Sequence, residues 1–164
     1  MANEETLRRA NVVGSFSGPL RANLIAMLDG IGLGSALGID STASIFGAHH
    51  HLAAKASAIS YPIFVNGQNY GGGNPPLTRH PVLRSLLRAS LAPRVAMAAE
   101  ALVVPLGTAA QSAVSLLIAD GLLDRGRCLL GFPHPSGANG WRVRQYEARR
   151  ETLSEELASW AAGT

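Results

Sequence analysis

Apolar residues along this chain follow two rhythms: a helical one, recurring every third or fourth position, and short unbroken runs. The helical rhythm starts after Ser17-Gly18-Pro19, a hydroxyl cap with proline in the first turn. Leu20, Leu24, Met27, Leu28 and Ile31 then share one face, and Gly30, Gly32 and Gly34 end the segment. A second helix is predicted from about Thr78 to Pro81, with Val82, Leu83, Leu86, Leu87 and Leu91 turned inward. Pro93 separates it from an Ala-rich third, because proline lacks the N–H that an interior helical turn needs. A further helix is predicted over Ala109 to Asp120, with Val114, Leu117 and Ile118 toward a core and Gly121 closing it. The last runs from about Trp141 to Ala161 on a stripe of Val143, Tyr146, Leu153, Leu157 and Trp160, interrupted by Arg150.

The unbroken runs are Tyr61 to Asn66, Ala101 to Leu106 and Cys128 to Phe132, and each predicts a short buried strand. Strands that alternate with helices predict an α/β layered fold with a parallel sheet and right-handed crossovers. Gly67 to Pro76 has no core-forming pattern and reads as a loop, one rich in amide side chains that can hydrogen-bond base edges. No Gly-Lys-Ser/Thr follows it, so it is not a phosphate-cradling P-loop. Residues 35–60 have no clear period, though Leu52 to Ile59 could continue a short helix.

Composition narrows the class. A length of 164 residues fits a single domain spanning 1–164, and 47% hydrophobic with 15% charged residues fits a globular chain. One cysteine, Cys128, excludes an intramolecular disulfide framework. No apolar segment reaches the roughly 18 residues that span a bilayer. Met1 to Arg9 is charged and lacks an apolar signal core, so a cytoplasmic protein with no membrane partner is expected. His49-His50-His51 has the ligand type of a metal site. Adjacent residues do not share a helix face, however, and no Cys or carboxylate stands at ligand spacing, so no metal is expected.

Charge changes the picture further. No acidic residue lies between Asp40 and Glu100, whereas Lys55, Arg79, Arg84, Arg88 and Arg94 do. Of 14 basic residues all but Lys55 are arginine, the side chain that grips phosphate bidentately. Both features point toward a polyanionic partner. The chemistry concentrates in Leu129 to Arg142, where an apolar run ends in a loop carrying His134 and Ser136. Pro133 and Pro135 restrict the backbone on both sides of His134. In the last helix Arg142, Arg144, Arg149 and Arg150 precede Glu151, Glu155 and Glu156. That order opposes the helix dipole, and an anion near Ser136 to Arg144 would relieve it.

Four segments, in order, resemble the uracil-DNA glycosylase superfamily. Gly14-Ser15-Phe16-Ser17-Gly18-Pro19-Leu20 is similar to its Pro-Phe-Val-Gly type segment. Phe64-Val65-Asn66 is similar to the strand carrying a base-reading Asn, and Val103 to Ala109 to the Leu-Gly-x-Ala turn. His134-Pro135-Ser136 resembles the His-Pro-Ser motif that opens the DNA-intercalating loop, and Ala138-Asn139-Gly140-Trp141 resembles the single-strand-selective branch. The resemblance covers about residues 14–160. It implies a three-layer α/β/α fold with a short parallel sheet, and a monomer that removes uracil or a related damaged base from DNA with no metal and no cofactor.

Residue by residue, it implies that His134 donates to a uracil carbonyl oxygen and that Asn66 reads the base edge, a role Asn69 could take instead. Phe16 would stack on the extruded base. Ser136 would bond a backbone phosphate, Gly137, Ala138 and Asn139 would fill the vacated space, and Arg142 and Arg144 would position flanking phosphates. One departure stands out: no Gly-x-x-Pro motif, which orients the attacking water in the family, precedes Gly14. Either the coding sequence begins late, leaving residues 1–13 a truncated or poorly structured start, or the chain is a shortened variant that binds DNA with impaired cleavage.

Overall fold

In the computed structural model, residues 16–163 are described. Helices dominate: α1 (Gly18–Gly30), α2 (Leu33–Ala36), α3 (Pro81–Met97), α4 (Gly107–Ala119), α5 (Arg142–Glu147) and α6 (Arg150–Gly163). Short 3-10 turns span Thr42–Phe46, His50–Leu52 and Arg125–Arg127. The sheet consists of two antiparallel strands, β1 (Phe64–Val65) and β2 (Gln68–Asn69). The three-layer α/β/α architecture with a parallel sheet is therefore not what this chain forms. The chain divides into two compact units, one of Met1–Lys55 with His134–Ala161 and one of Ala56–Pro133 with Ala162–Thr164.

Proline explains why the apolar runs do not build a sheet. Val103 and Cys128 make an isolated parallel bridge, with the Val103 N–H on the Arg127 carbonyl at 2.8 Å and the Leu129 N–H on the Val103 carbonyl at 3.0 Å. Beyond it Pro105 and Pro133 offer no N–H, and Leu130 turns back to bond the Cys128 carbonyl at 3.1 Å, so the ladder stops. The run at Tyr61 to Asn66 is not a buried strand either: Phe64 is 61% exposed and Tyr61 66% exposed. Asn66 and Gly67, at φ 52° and 75°, form a two-residue hairpin turn that pairs Phe64 with Asn69 and Val65 with Gln68.

In the second unit, Leu83, Leu87, Leu91 and Val95 of α3 meet Ala113, Val114 and Leu117 of α4, together with Leu77, Leu123 and Cys128. This stripe continues through Pro93, so α3 is one helix rather than two. Proline there removes the bond to the Ala89 carbonyl, but both residues face solvent and water can take the bond's place. Arg127 reaches back to the end of α3, its guanidinium donating to the carbonyls of Val95 at 2.6 Å, Ala101 at 3.0 Å and Ala98. Arg88 pairs with Asp120 at 2.7 Å. Arg88, one of the basic residues of the acid-free middle, and Arg127 are thus engaged within the fold.

In the first unit α1 is tied to α5. The Tyr146 hydroxyl donates to the Met27 carbonyl at 2.8 Å, and a Cβ at position 30 would overlap that hydroxyl, so this approach requires glycine. The last helix is broken at Ala148 and Arg149, a correction to the single helix expected from Trp141 to Ala161. In an unbroken helix Arg150 would share the face of Tyr146, Leu153 and Leu157; after the break it is exposed while those three are buried. Val143, assigned to the buried stripe, is 63% exposed. The break eases the charge conflict in part: Arg144 falls in the last turn of α5 and Glu151 in the first turn of α6, both favourable to the dipole, while Arg142 and Arg150 open the two helices.

Asp29 near the end of α1 fixes the following turn, accepting from the Ser41 hydroxyl at 2.6 Å and the Thr42 N–H at 2.7 Å. Burial pushes its pKa up, but hydrogen bonds from Ser41 and Thr42 outweigh that, and the net shift is downward from 3.8. A folded value below the unfolded one means the stabilisation is full above about pH 4 and fades as pH falls through the folded value. Asp29→Ala should cost about 1.5–3 kcal/mol at pH 7. Urea midpoints measured at pH 7 and again near pH 3 should show the gap between variant and parent narrowing in acid.

Candidate functional site

The loop from His134 to Trp141 is held by hydrogen bonds that leave one imidazole edge outward. Pro135 is fully buried, and its carbonyl accepts from the Asn23 amide of α1 at 2.9 Å. The flanking His134 is exposed and Ser136 half-buried. The Ser136 N–H donates to His134 Nδ1 at 3.2 Å. An acceptor Nδ1 carries no proton, so the neutral ring is the Nε2–H tautomer. The neutral ring thereby presents its N–H donor at Nε2, fixed through backbone rather than through a carboxylate.

Asn139 organises the rest of the loop. Its amide nitrogen donates to the His134 carbonyl at 3.2 Å and to Gln145 Oε1 at 2.9 Å, and its oxygen accepts from the Trp141 N–H at 3.3 Å. Ser136 Oγ accepts from the Ala138 N–H at 3.2 Å, which tightens the turn over Gly137. Arg142 bends back to donate to the Ser136 carbonyl at 2.9 Å. Arg144 stays exposed, with its guanidinium 5.8 Å from the Trp141 ring centroid. Of the residues assigned to DNA contact, Asn139 and Arg142 therefore brace the loop. Gly137, Ala138 and Arg144 face outward.

Phe16 lies in the same unit, and its ring meets Phe46 edge-on with centroids 6.5 Å apart. Its φ of 54° is a left-handed conformation that a bulky side chain seldom adopts. The Arg21 side chain donates to its carbonyl. Phe46 in turn has Arg21 and Lys55 each 4.9 Å from its centroid. Burial and then the neighbouring Arg21 charge pull the Lys55 pKa down. Gly14 and Ser15, the start of that motif, lie outside the described residues.

Asn66 belongs to the other unit, exposed at the tip of the β1–β2 hairpin, with Asn69 exposed on β2 opposite Phe64. The turn itself accounts for Asn66, since asparagine tolerates positive φ. The Leu106-Gly107-Thr108 turn opens α4 as expected. Gly107, at φ 82°, and Gln111 both donate to the Phe132 carbonyl at 3.0 Å, which fixes the end of that extended segment. A cleft of about 490 Å³ on α4 is lined by Thr78, Thr108, Gln111, Ser112, Ser115 and Leu116.

The His51 ring meets those of His49 and His50 edge-on, His50 Nδ1 lies 3.1 Å from the Gly47 carbonyl, and no metal-binding cluster occurs among the described residues. Sequence reasoning did not single out Asn23 or Gln145, which hold the loop from α1 and α5; Asn23 beside the buried Leu24 was the one visible sign. Among the described residues no helix is long and apolar enough to cross a membrane.

Comparison with known proteins gives a relative without an assigned role. The chain is 40% identical over 152 residues to the uncharacterized protein YoxB of Bacillus subtilis (strain 168), which covers 92% of this chain and 59% of YoxB. The chain thus spans about three fifths of the length of that relative. No family model matches the chain, and no solved structure does.

Proposed function

We propose that the chain cleaves the N-glycosidic bond of uracil, or of a related damaged base, in DNA, using His134 as a neutral hydrogen-bond donor. The observation that carries this reading is the Ser136 N–H on His134 Nδ1, which leaves the proton on the outward Nε2. In the reaction the bond between C1′ of the sugar and N1 of the base breaks, and the electron pair leaves with the base. The charge spreads onto the base carbonyl oxygens, where a fixed N–H lowers its energy more than it lowers that of the neutral substrate. Water then gives hydroxide to C1′ and a proton to the departing base. Arg144 and the Gly137–Ala138 tip are the outward groups available to the DNA backbone and to the gap left by an extruded base.

The reading rests on this loop and on the order of the four motifs, not on the architecture, since the described residues do not form the layered parallel sheet of the resembled family. A cytoplasmic monomer acting on DNA goes with it. Incubating the protein with a uracil-containing oligonucleotide, with and without a chelator, tests it. Abasic product indifferent to chelator is the expected outcome. Salt-dependent binding without base release would instead make the chain a DNA-binding relative that does not cleave, and chelator-sensitive cleavage would replace the His134 mechanism with metal chemistry.

A further inference from the structure

Trp141 is 65% exposed, and the neighbouring Val143 63% exposed, immediately after the His134 loop. Leaving an indole in water forgoes the burial that makes tryptophan favourable in a fold. The backbone of the residue is nevertheless anchored. Its backbone N–H is bonded to Asn139 Oδ1, and its carbonyl accepts the Gln145 N–H at 2.9 Å, so the residue begins α5 in a set orientation. Arg144, one helical turn on, sits 5.8 Å from the ring centroid. Space beside the loop is open: a Cβ built at Gly137 or Gly140 meets nothing within 4 Å. The charge around the ring is basic, with Arg142 and Arg144 close by, while Glu147 is paired with Arg150 at 3.8 Å.

We infer that Trp141, flanked by Arg144, is a stacking platform for an unpaired nucleobase of single-stranded DNA. The inference rests on the nucleic-acid reading of the adjacent loop. An exposed aromatic face with a guanidinium beside it suits a base and its phosphate together, whereas a buried apolar partner would leave Arg144 without a counter-charge. Stacking requires only a π-face, so the platform accepts any base and does not depend on uracil. A duplex, whose bases are already stacked, offers it less.

The test uses uracil-free DNA, so that it fails or succeeds separately from base cleavage. The chain has two tryptophans, and Trp160→Phe leaves Trp141 as the sole indole reporter. Titration with single-stranded oligothymidylate should quench its fluorescence. The matching duplex with oligoadenylate should quench it less, and inorganic polyphosphate at equal phosphate concentration should leave it unchanged. Trp141→Ala should weaken single-strand binding roughly 5- to 100-fold, and Trp141→Phe only a few-fold. Circular dichroism of each variant shows that the fold is kept; should Trp160→Phe unfold, the fluorescence difference between the parent and Trp141→Phe replaces it. Oligothymidylate that binds without changing the indole signal overturns the platform and leaves the cleavage reading standing. Equal quenching by polyphosphate, or undiminished binding by Trp141→Ala, overturns it as well. Quenching in a protein that releases no uracil leaves the platform and removes the cleavage reading.

Discussion

His134→Ala should lower uracil release by about 100- to 1,000-fold, the loss typical of removing a donor aimed at developing charge. The loss should appear in kcat and kcat/KM alike, because the Nε2 hydrogen bond strengthens only as the base becomes an anion. Binding of uracil-free DNA should stay within a few-fold of the parent, since His134 contributes a donor and no charge in its neutral form. The imidazole is exposed, and of its two nitrogens only Nδ1 is bonded within the loop, so removing it leaves the Asn23–Pro135 and Arg142–Ser136 contacts in place. A variant that cleaves as fast as the parent would remove His134 from the mechanism.

The second large effect is on stability. Leu117→Ala should cost about 2–5 kcal/mol, as expected when a fully buried leucine leaves a cavity between packed helices. Leu117 has no exposed surface and lies in the α3–α4 core with Leu87, which is also fully buried. Against a typical total of about 5–15 kcal/mol, a loss of that size is a large fraction. Urea unfolding followed by circular dichroism should show a lower midpoint with an unchanged slope. Met97→Ala, 90% exposed at the end of α3, serves as the control and should leave the midpoint unmoved.

Helical periodicity made much of the fold legible. Leu24, Met27, Leu28 and Ile31 are buried on and just after α1, and Leu83, Leu87 and Leu91 on α3, where spacing alone placed them. Short apolar runs were ambiguous. Ala101 to Leu106 and Cys128 to Phe132 look like strands by composition, but a strand also needs donors on both sides, and Pro105 and Pro133 remove them. Asn66-Gly67 is itself a hairpin signal, and reading the preceding run as a parallel strand overlooked it. The break before Arg150 was foreshadowed by the charge that interrupted its stripe: a helix that cannot bury an arginine turns so that it need not. Pro93 misled in the opposite direction, because a long Leu stripe outweighs one missing hydrogen bond when the freed carbonyl faces water.

The candidate site was legible in its residues and not in their division of labour. His134, Ser136 and the two prolines stood out by type and order. That Asn139 and Arg142 would spend their hydrogen bonds on the loop itself depends on a turn between Ser136 and Arg142 that no periodicity encodes. The basic middle of the chain is less free than its composition implies, for a similar reason. Arg88 answers Asp120, 32 residues away in sequence, and charge counted along a chain does not see partners brought together by folding.

The central physical claim is that the His134 imidazole, when neutral, carries its proton on Nε2. Nitrogen-15 NMR of the folded protein labelled at histidine measures it directly, because long-range proton–nitrogen correlations distinguish the two tautomers. For the neutral His134 ring, the expected pattern has the proton on Nε2 and a bare Nδ1, and Ser136→Pro, which removes the N–H, should lose that preference. A proton on Nδ1 in the parent would contradict the claim, because Nδ1 could then no longer accept from Ser136.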